Sequence, residues 1–344
     1  MHYLVGISGG LDSTLAAANL LDAGHTVTGA VLQFSDNTDL AAAERAAEEL
    51  GIPLHKIDCR AEFKKIVKHY FAQSYAKGHT PNPCVVCNRY LKIKLLCDLA
   101  EELGCDKIIT GHYADIVYTE NGRYAVSQSE NRKKDQSYML WGLTQKQLSL
   151  LEFPLAHADK QNLRQKAAER NFSSATAKES MDICFLPGGN YADFVESIVG
   201  KSTPGNFVDR NGKVLGRHKG IIHYTVGQRK GLGIALGQPA FVSKIDPVKN
   251  TVTLVFAGEE YANRMTVEEL VFQSLPETDC FESDTLFVKI RYAAEPVPCK
   301  VKITGSVATV LFASPARAVT PGQSAVFYDK DGVIAFGGFI EQAE

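Results

Sequence analysis

Up to Thr110 the chain alternates short apolar runs with segments of helical period, and this alternation narrows the choice of fold more than any other feature. Residues 3–7, 26–34, 53–57 and 107–110 read as strands; residues 14–23, 40–50, 61–76 and 91–103 read as helices. Strands alternating with helices through short connections form a parallel sheet covered on both faces, with ligands beyond the carboxyl ends of the strands. From about Ser202 the character changes. Residues 241–245 and 252–256 read as a hairpin, and residues 286–292, 297–303, 308–312, 325–328 and 333–339 alternate at period two. Five short strands in so little chain predict a small β-barrel. The fold class is therefore α/β: an N-terminal parallel-sheet domain over 1–200, a small central domain over 201–265 and a C-terminal β-barrel domain over 266–344.

A length of 344 residues with 45% apolar and 22% charged side chains excludes a disordered chain. The longest stretch without Asp, Glu, Lys or Arg is 303–316, short of the roughly 18–20 residues that cross a bilayer. The N-terminus lacks a basic region and cleavage site, so no signal peptide and no membrane are expected, and the predicted location is cytoplasmic. The net charge of −2 hides two basic segments: 56–94 carries +7 and 201–230 carries +6, leaving −15 for the rest. Such segments on an acidic chain predict a local polyanion site, or else two solvated helix faces.

Ser8-Gly9-Gly10-Leu11-Asp12-Ser13 joins the first strand to the first helix. A helix N-terminus offers free N–H groups and the positive end of the helix dipole, and the glycines let an anion approach the backbone. Ser8 and Ser13 add hydroxyls. No Lys follows, so this is not a Walker A loop. Asp12 suits a phosphate only with Mg²⁺ between them. The string resembles the PP-loop ATP pyrophosphatases. That resemblance implies ATP, cleaved to AMP and pyrophosphate, bound by Gly6, Ile7, Ser8, Gly9, Gly10, Leu11, Asp12 and Ser13, with Leu32 and Gly111 beside the adenosine.

Eight cysteines without a secretory signal point to a reducing compartment. Thr80-Pro81-Asn82-Pro83-Cys84-Val85-Val86-Cys87-Asn88 contains two of them, and its prolines predict a stiff loop opening onto the 91–103 helix. There a thiol is favoured as thiolate, and Arg89, Lys92 and Lys94 add positive charge. Cys184 lies far along the chain. Four readings stand: half a zinc site, a redox pair, three ligands of an iron–sulfur cluster (Cys84, Cys87 and Cys184), or a thiol and a persulfide carrier exchanging sulfur through a disulfide.

Six motifs then stand together in order: the phosphate loop; Asn82-Pro83 with Cys87-Asn88; Gly111-His112-Tyr113-Ala114; Asp135-Gln136-Ser137-Tyr138; Asp182-Ile183-Cys184-Phe185; and His223-Tyr224-Thr225-Val226-Gly227-Gln228-Arg229-Lys230-Gly231-Leu232-Gly233. Together they resemble the tRNA-specific 2-thiouridylases, along nearly the whole chain to Pro321-Gly322-Gln323. The resemblance implies that ATP and Mg²⁺ adenylate the C2 oxygen of the wobble uridine, after which persulfide sulfur displaces AMP. Cys184 would carry the persulfide and Cys87 would attack it. Asn82, Pro83 and Cys84 would meet the target base. His112, Lys134, Asp135, Gln136, Arg291, Tyr292 and Gln323 would meet tRNA. A cysteine desulfurase or relay protein would supply the sulfur. Many members carry Asp where Cys84 stands, which puts a base role there in doubt and keeps the iron–sulfur reading beside the disulfide one. Two other functions remain: an adenylating ligase with a nitrogen nucleophile, and a tRNA-binding protein without catalysis.

Overall fold

The computed structural model describes residues 1–156, 167–170, 172–176, 183–186 and 190–344. Five parallel strands form the first sheet: β1 (His2–Gly6), β2 (Thr26–Gln33), β3 (Leu54–Asp58), β4 (Lys107–Ile109) and β7 (Leu151–Glu152), in the order β3-β2-β1-β4-β7. β2 is buried along six of its eight residues, as a strand covered on both faces requires. Leu40–Leu50 packs Ala43, Ala46 and Ala47 on one face of the sheet with Val5, Ile7 and Val31, while Leu91, Ile93 and Leu96 cover the other face with Leu4 and Ile108. The strand order reverses between β1 and β4, so the ligand crevice opens beyond their carboxyl ends.

Two helices beside this sheet each contain a π turn. One runs through Arg60–Phe63, the π turn Lys64–Lys68 and His69–Ala76. The other runs through Pro83–Cys87, the π turn Asn88–Lys92 and Ile93–Leu103. The expectation of a stiff loop ahead of residue 91 is thereby corrected. Pro83 is the first residue of the helix, where its missing N–H costs nothing, so both cysteines sit inside the helix.

A hairpin that periodicity did not reveal, β5 (Ala114–Tyr118) with β6 (Tyr124–Gln128), follows β4. The central sheet orders β10 (Ala240–Asp246), β11 (Thr251–Phe256), β8 (Gly205–Val208) and β9 (Val214–His218). The barrel is closed and has six strands rather than five, in the order β12-β15-β14-β13-β16-β17. The unforeseen strand is β12 (Tyr261–Phe272); the others are β13 (Cys280–Lys289), β14 (Val297–Thr304), β15 (Val307–Arg317), β16 (Ser324–Tyr328) and β17 (Ile334–Ala343). Among the described residues no helix is long and apolar enough to cross a membrane.

Candidate active site

The phosphate loop leaves β1 at Gly6 and turns into the helix Leu11–Asp22. Gly9 has φ +76°, and a Cβ there would sit 2.5 Å from the carbonyl carbon of Ala42. Only glycine fits both the dihedral and the space. Gly10 is the N-cap and supplies no side-chain acceptor, so the first N–H groups of the helix lack a side-chain cap. Ser8 and Ser13 stand Oγ to Oγ at 3.3 Å beside them. Ile7 is held by its N–H to Ala30 O at 2.8 Å, and Leu32 ends β2 buried. Gly111 abuts the loop: a Cβ there would lie 3.4 Å from Asp12 Cβ. Tyr113 donates its hydroxyl to Asp12 Oδ1 at 2.9 Å. Ser8, Gly9, Gly10, Asp12, Ser13, Gly111 and Tyr113 thus stand together at the helix N-terminus, where backbone N–H groups offer an anion its donors. One loop carboxylate is also what Mg²⁺ requires when phosphates complete its shell.

Cys84 and Cys87 are three residues apart on one helix, hence on neighbouring positions of one face. Cys184 lies within electrostatic reach of both, although nearly a hundred residues separate it from them. Burial pushes the Cys87 thiol up to about 12, with the Lys92 ammonium opposing. Burial raises the Cys84 and Cys184 thiols as well, again against Lys92. All eight cysteines are free. Among the described residues no group of three His, Cys, Asp or Glu side chains converges closely enough to hold a metal ion.

The barrel reaches this site directly. Thr80 donates its N–H to Pro321 O at 2.9 Å. Gln323 Nε2 donates to Thr80 O at 3.1 Å and Pro81 O at 3.2 Å, and Asn82 Nδ2 to Ser324 Oγ at 3.4 Å. Gly322, at φ +86°, lets the two loops close: a Cβ there would lie 2.9 Å from Thr80 O. Tyr292, just past β13, is 40% exposed and within electrostatic reach of both Cys84 and Lys134.

Residues 1–188 match the family model described as tRNA methyl transferase HUP domain, residues 192–255 the PRC-barrel domain and residues 262–340 the aminomethyltransferase beta-barrel domain. A tRNA-specific 2-thiouridylase of Lachnoclostridium phytofermentans is 42% identical over 98% of this chain and 99% of its own. Those of Acetivibrio thermocellus (42%, 98% of each chain) and Carboxydothermus hydrogenoformans (41%, 98% and 97%) are similar to it as well. The chain belongs to the tRNA-specific 2-thiouridylase family.

Several residues expected at the tRNA turn their side chains inward. Asp135 is buried and accepts from Ser129 N at 3.0 Å, Ser137 N at 3.3 Å and Ser137 Oγ at 2.8 Å, with Lys289 Nζ at 4.0 Å. Gln136 Oε1 accepts from Tyr113 N at 3.0 Å. His112 is buried, its Nδ1 2.7 Å from Thr110 Oγ1, and burial together with the Lys92 charge holds it well below its ordinary value, hence neutral. Arg291 donates to Thr320 Oγ1 at 2.8 Å and to Ala318 O. Both side-chain oxygens of Asp135 are thus held by hydrogen bonds inside the protein. Asp182 and its neighbours 181, 187 and 188 lie outside the described residues.

Lys92 is the residue whose importance the sequence understated. It had been one of three nearby cations. Lys94 pairs with Asp98 at the surface, and Arg89 lies 4.7 Å over the Tyr90 ring. Lys92 alone acts on all three thiols and on His112.

Proposed function

We propose that this chain is an ATP-dependent tRNA-uridine 2-sulfurtransferase. What supports this reading is that Cys84, Cys87 and Cys184 lie within electrostatic reach of one another in a chain that carries the phosphate loop and belongs to the 2-thiouridylase family. A uridine carbonyl oxygen is a poor leaving group, and adenylation by ATP makes it a good one. The uncapped helix N-terminus, Ser8 and Ser13 bind the departing pyrophosphate; Asp12 would hold Mg²⁺, which when bound would neutralise phosphate charge. Sulfur reaches the site as a persulfide on Cys184, delivered by a cysteine desulfurase or relay protein. Cys87 attacks the inner sulfur of that persulfide, forms a Cys87–Cys184 disulfide and releases hydrosulfide, which adds to C2. The target base leaves its stack to enter beneath Tyr292. Among the described residues Cys84, Cys87 and Cys184 form no group that holds a metal ion, and no step is routed through an iron–sulfur cluster. Methyl transfer, the word in the matched models' descriptions, would leave both thiols and the pyrophosphate loop without a task.

The test is nucleoside analysis after incubating the purified chain with ATP, Mg²⁺, unmodified tRNA, cysteine and a cysteine desulfurase. Wild type forms 2-thiouridine; Cys87→Ser and Cys184→Ser form none while binding ATP normally. No 2-thiouridine from wild type, or full activity in either serine variant, overturns the reading. Cys84→Asp retains activity without bound iron; activity lost along with iron would restore the cluster.

A further inference from the structure

Tyr113 lies between β4 and β5, and it is fixed by its ring and by both groups of its main chain. The ring is 4% exposed and packs among Leu11, Leu15 and Leu155. Its N–H donates to Gln136 Oε1 at 3.0 Å, and its carbonyl accepts from Gln136 N at 2.7 Å. One glutamine therefore holds the donor and the acceptor of this residue. That glutamine is held in turn. Asp135, beside it, accepts from Ser129 N and Ser137 Oγ, and the Ser137 hydroxyl lies 3.0 Å from the Tyr328 hydroxyl of the barrel.

The buried ring ends in a hydroxyl that donates to Asp12 Oδ1 at 2.9 Å. The two residues are 101 apart in sequence, so tertiary structure rather than a local turn makes this bond. Gly111 brings the segment close: a Cβ there would lie 3.4 Å from Asp12 Cβ and 3.6 Å from Ser13 N. Asp12 is the second residue of the helix Leu11–Asp22, at the end that offers N–H groups to phosphate. A carboxylate in that place suits phosphate only with a divalent cation between them. Such a carboxylate turns about its own side-chain torsions, and a hydrogen bond to one oxygen fixes the direction it presents to a metal. Phenylalanine would fill the same apolar pocket, so packing does not account for the hydroxyl.

We propose that Tyr113 is a positioning residue for the adenylation step, its hydroxyl aiming the Asp12 carboxylate at the metal that accompanies ATP. The inference rests on the sulfurtransferase reading, and within it on the phosphate loop as the Mg²⁺–ATP site. Tyr113 itself touches no reacting atom. It acts on the affinity for the divalent cation once nucleotide is bound. It does not act on the nucleotide directly, because the N–H groups of the loop are presented without it.

The experiment titrates wild type, Tyr113→Phe, Asp12→Asn and the double variant with α,β-methylene-ATP, which cannot be cleaved between its first two phosphates. Calorimetry follows binding in EDTA and at a series of Mg²⁺ concentrations. In Tyr113→Phe the Mg²⁺ concentration that half-maximally tightens binding rises about tenfold. Affinity in EDTA and melting temperature stay as in wild type. In the Asp12→Asn background the same substitution has no further effect, because its route runs through that carboxylate. An unchanged Mg²⁺ requirement in Tyr113→Phe overturns the inference alone, and so does an effect that simply adds to that of Asp12→Asn. A parallel loss of affinity in EDTA and of melting temperature also overturns it, by making the hydroxyl a structural group. If wild type binds the nucleotide with no response to Mg²⁺, the reading of the loop as a Mg²⁺–ATP site falls, and the role of Tyr113 falls with it. Sulfur transfer is read separately by 2-thiouridine formation, so its failure is told apart from a failure here.

Discussion

A titratable side chain in this molecule is best understood by asking what stands opposite it. Glu260 is buried at the start of the barrel, and burial alone would raise its carboxyl. Its own N–H, the Gly258 N–H at 2.7 Å and the Arg317 guanidinium at 3.0 Å outweigh burial and hold it below its ordinary value. The sign follows by linkage: a carboxyl lowered in the folded state stabilises the protein above its unfolded pKa, and that contribution disappears as pH falls through the folded pKa. Urea denaturation should therefore separate wild type from Glu260→Gln at pH 7, with the gap beginning to close only as the pH falls below the ordinary carboxyl value of 4.5 and vanishing below the folded pKa. A gap that is constant with pH would mean that the hydrogen bonds, not the charge, do the stabilising. Lys289 illustrates the opposite direction. Burial lowers its ammonium, and Asp135 at 4.0 Å recovers part of the loss.

At the scale of elements, the first turn of each helix decides what it can hold. Gly9→Ala forces a side chain into the left-handed region and into Ala42. The strain costs roughly 1–3 kcal/mol, and relief comes only by moving the helix Leu40–Leu50 or the loop. We expect a lowered melting temperature and lost ATP binding, read by calorimetry and by nucleotide titration. Four of the five strands of the parallel sheet, and the helices between them, were legible in the sequence because strong periodicity dictates them, whereas the two-residue strand Leu151–Glu152 is too short to show a period. The cysteine helix was not, because proline was read as excluding a helix although Pro83 occupies the one position that tolerates it. β12 was hidden for a different reason. Its pairing shifts between Ala262 and Arg264, between Thr266 and Val267, and between Glu268 and Val271, and Glu269 has φ +53°. Each bulge resets the alternation by which a strand is recognised. The loop residues 8–13 were legible because they are contiguous, whereas the placing of Gly111 and Tyr113 against them, and of Cys184 within electrostatic reach of Cys87, depends on tertiary structure that no local pattern encodes.

Across the whole molecule the barrel and the nucleotide domain are joined by a shared apolar seam, in which Val326, Tyr328 and Ile334 pack with Tyr138, Leu140 and Trp141, and by buried polar side chains set into it. Gln273 is fully buried. Its Oε1 accepts from Val126 N at 2.9 Å, and its Nε2 donates to Leu140 O and Trp141 O at 3.0 Å each. Gln273→Leu keeps the volume but strands those backbone groups, at roughly 1–3 kcal/mol for an unsatisfied buried group. Calorimetry should then resolve the single transition of wild type into two, the barrel separating first. One transition at an unchanged temperature would place the strength of the joint elsewhere.

The fastening of Thr80, Pro81 and Asn82 by Pro321, Gln323 and Ser324 has a consequence for genetics. A premature stop between Tyr292 and Pro321 would spare every reacting group in the polypeptide yet remove the brace from the turn that leads into Cys84. Such alleles should behave as complete nulls, and supplying the missing tail as a separate peptide would be the natural way to ask whether the brace has to be covalent.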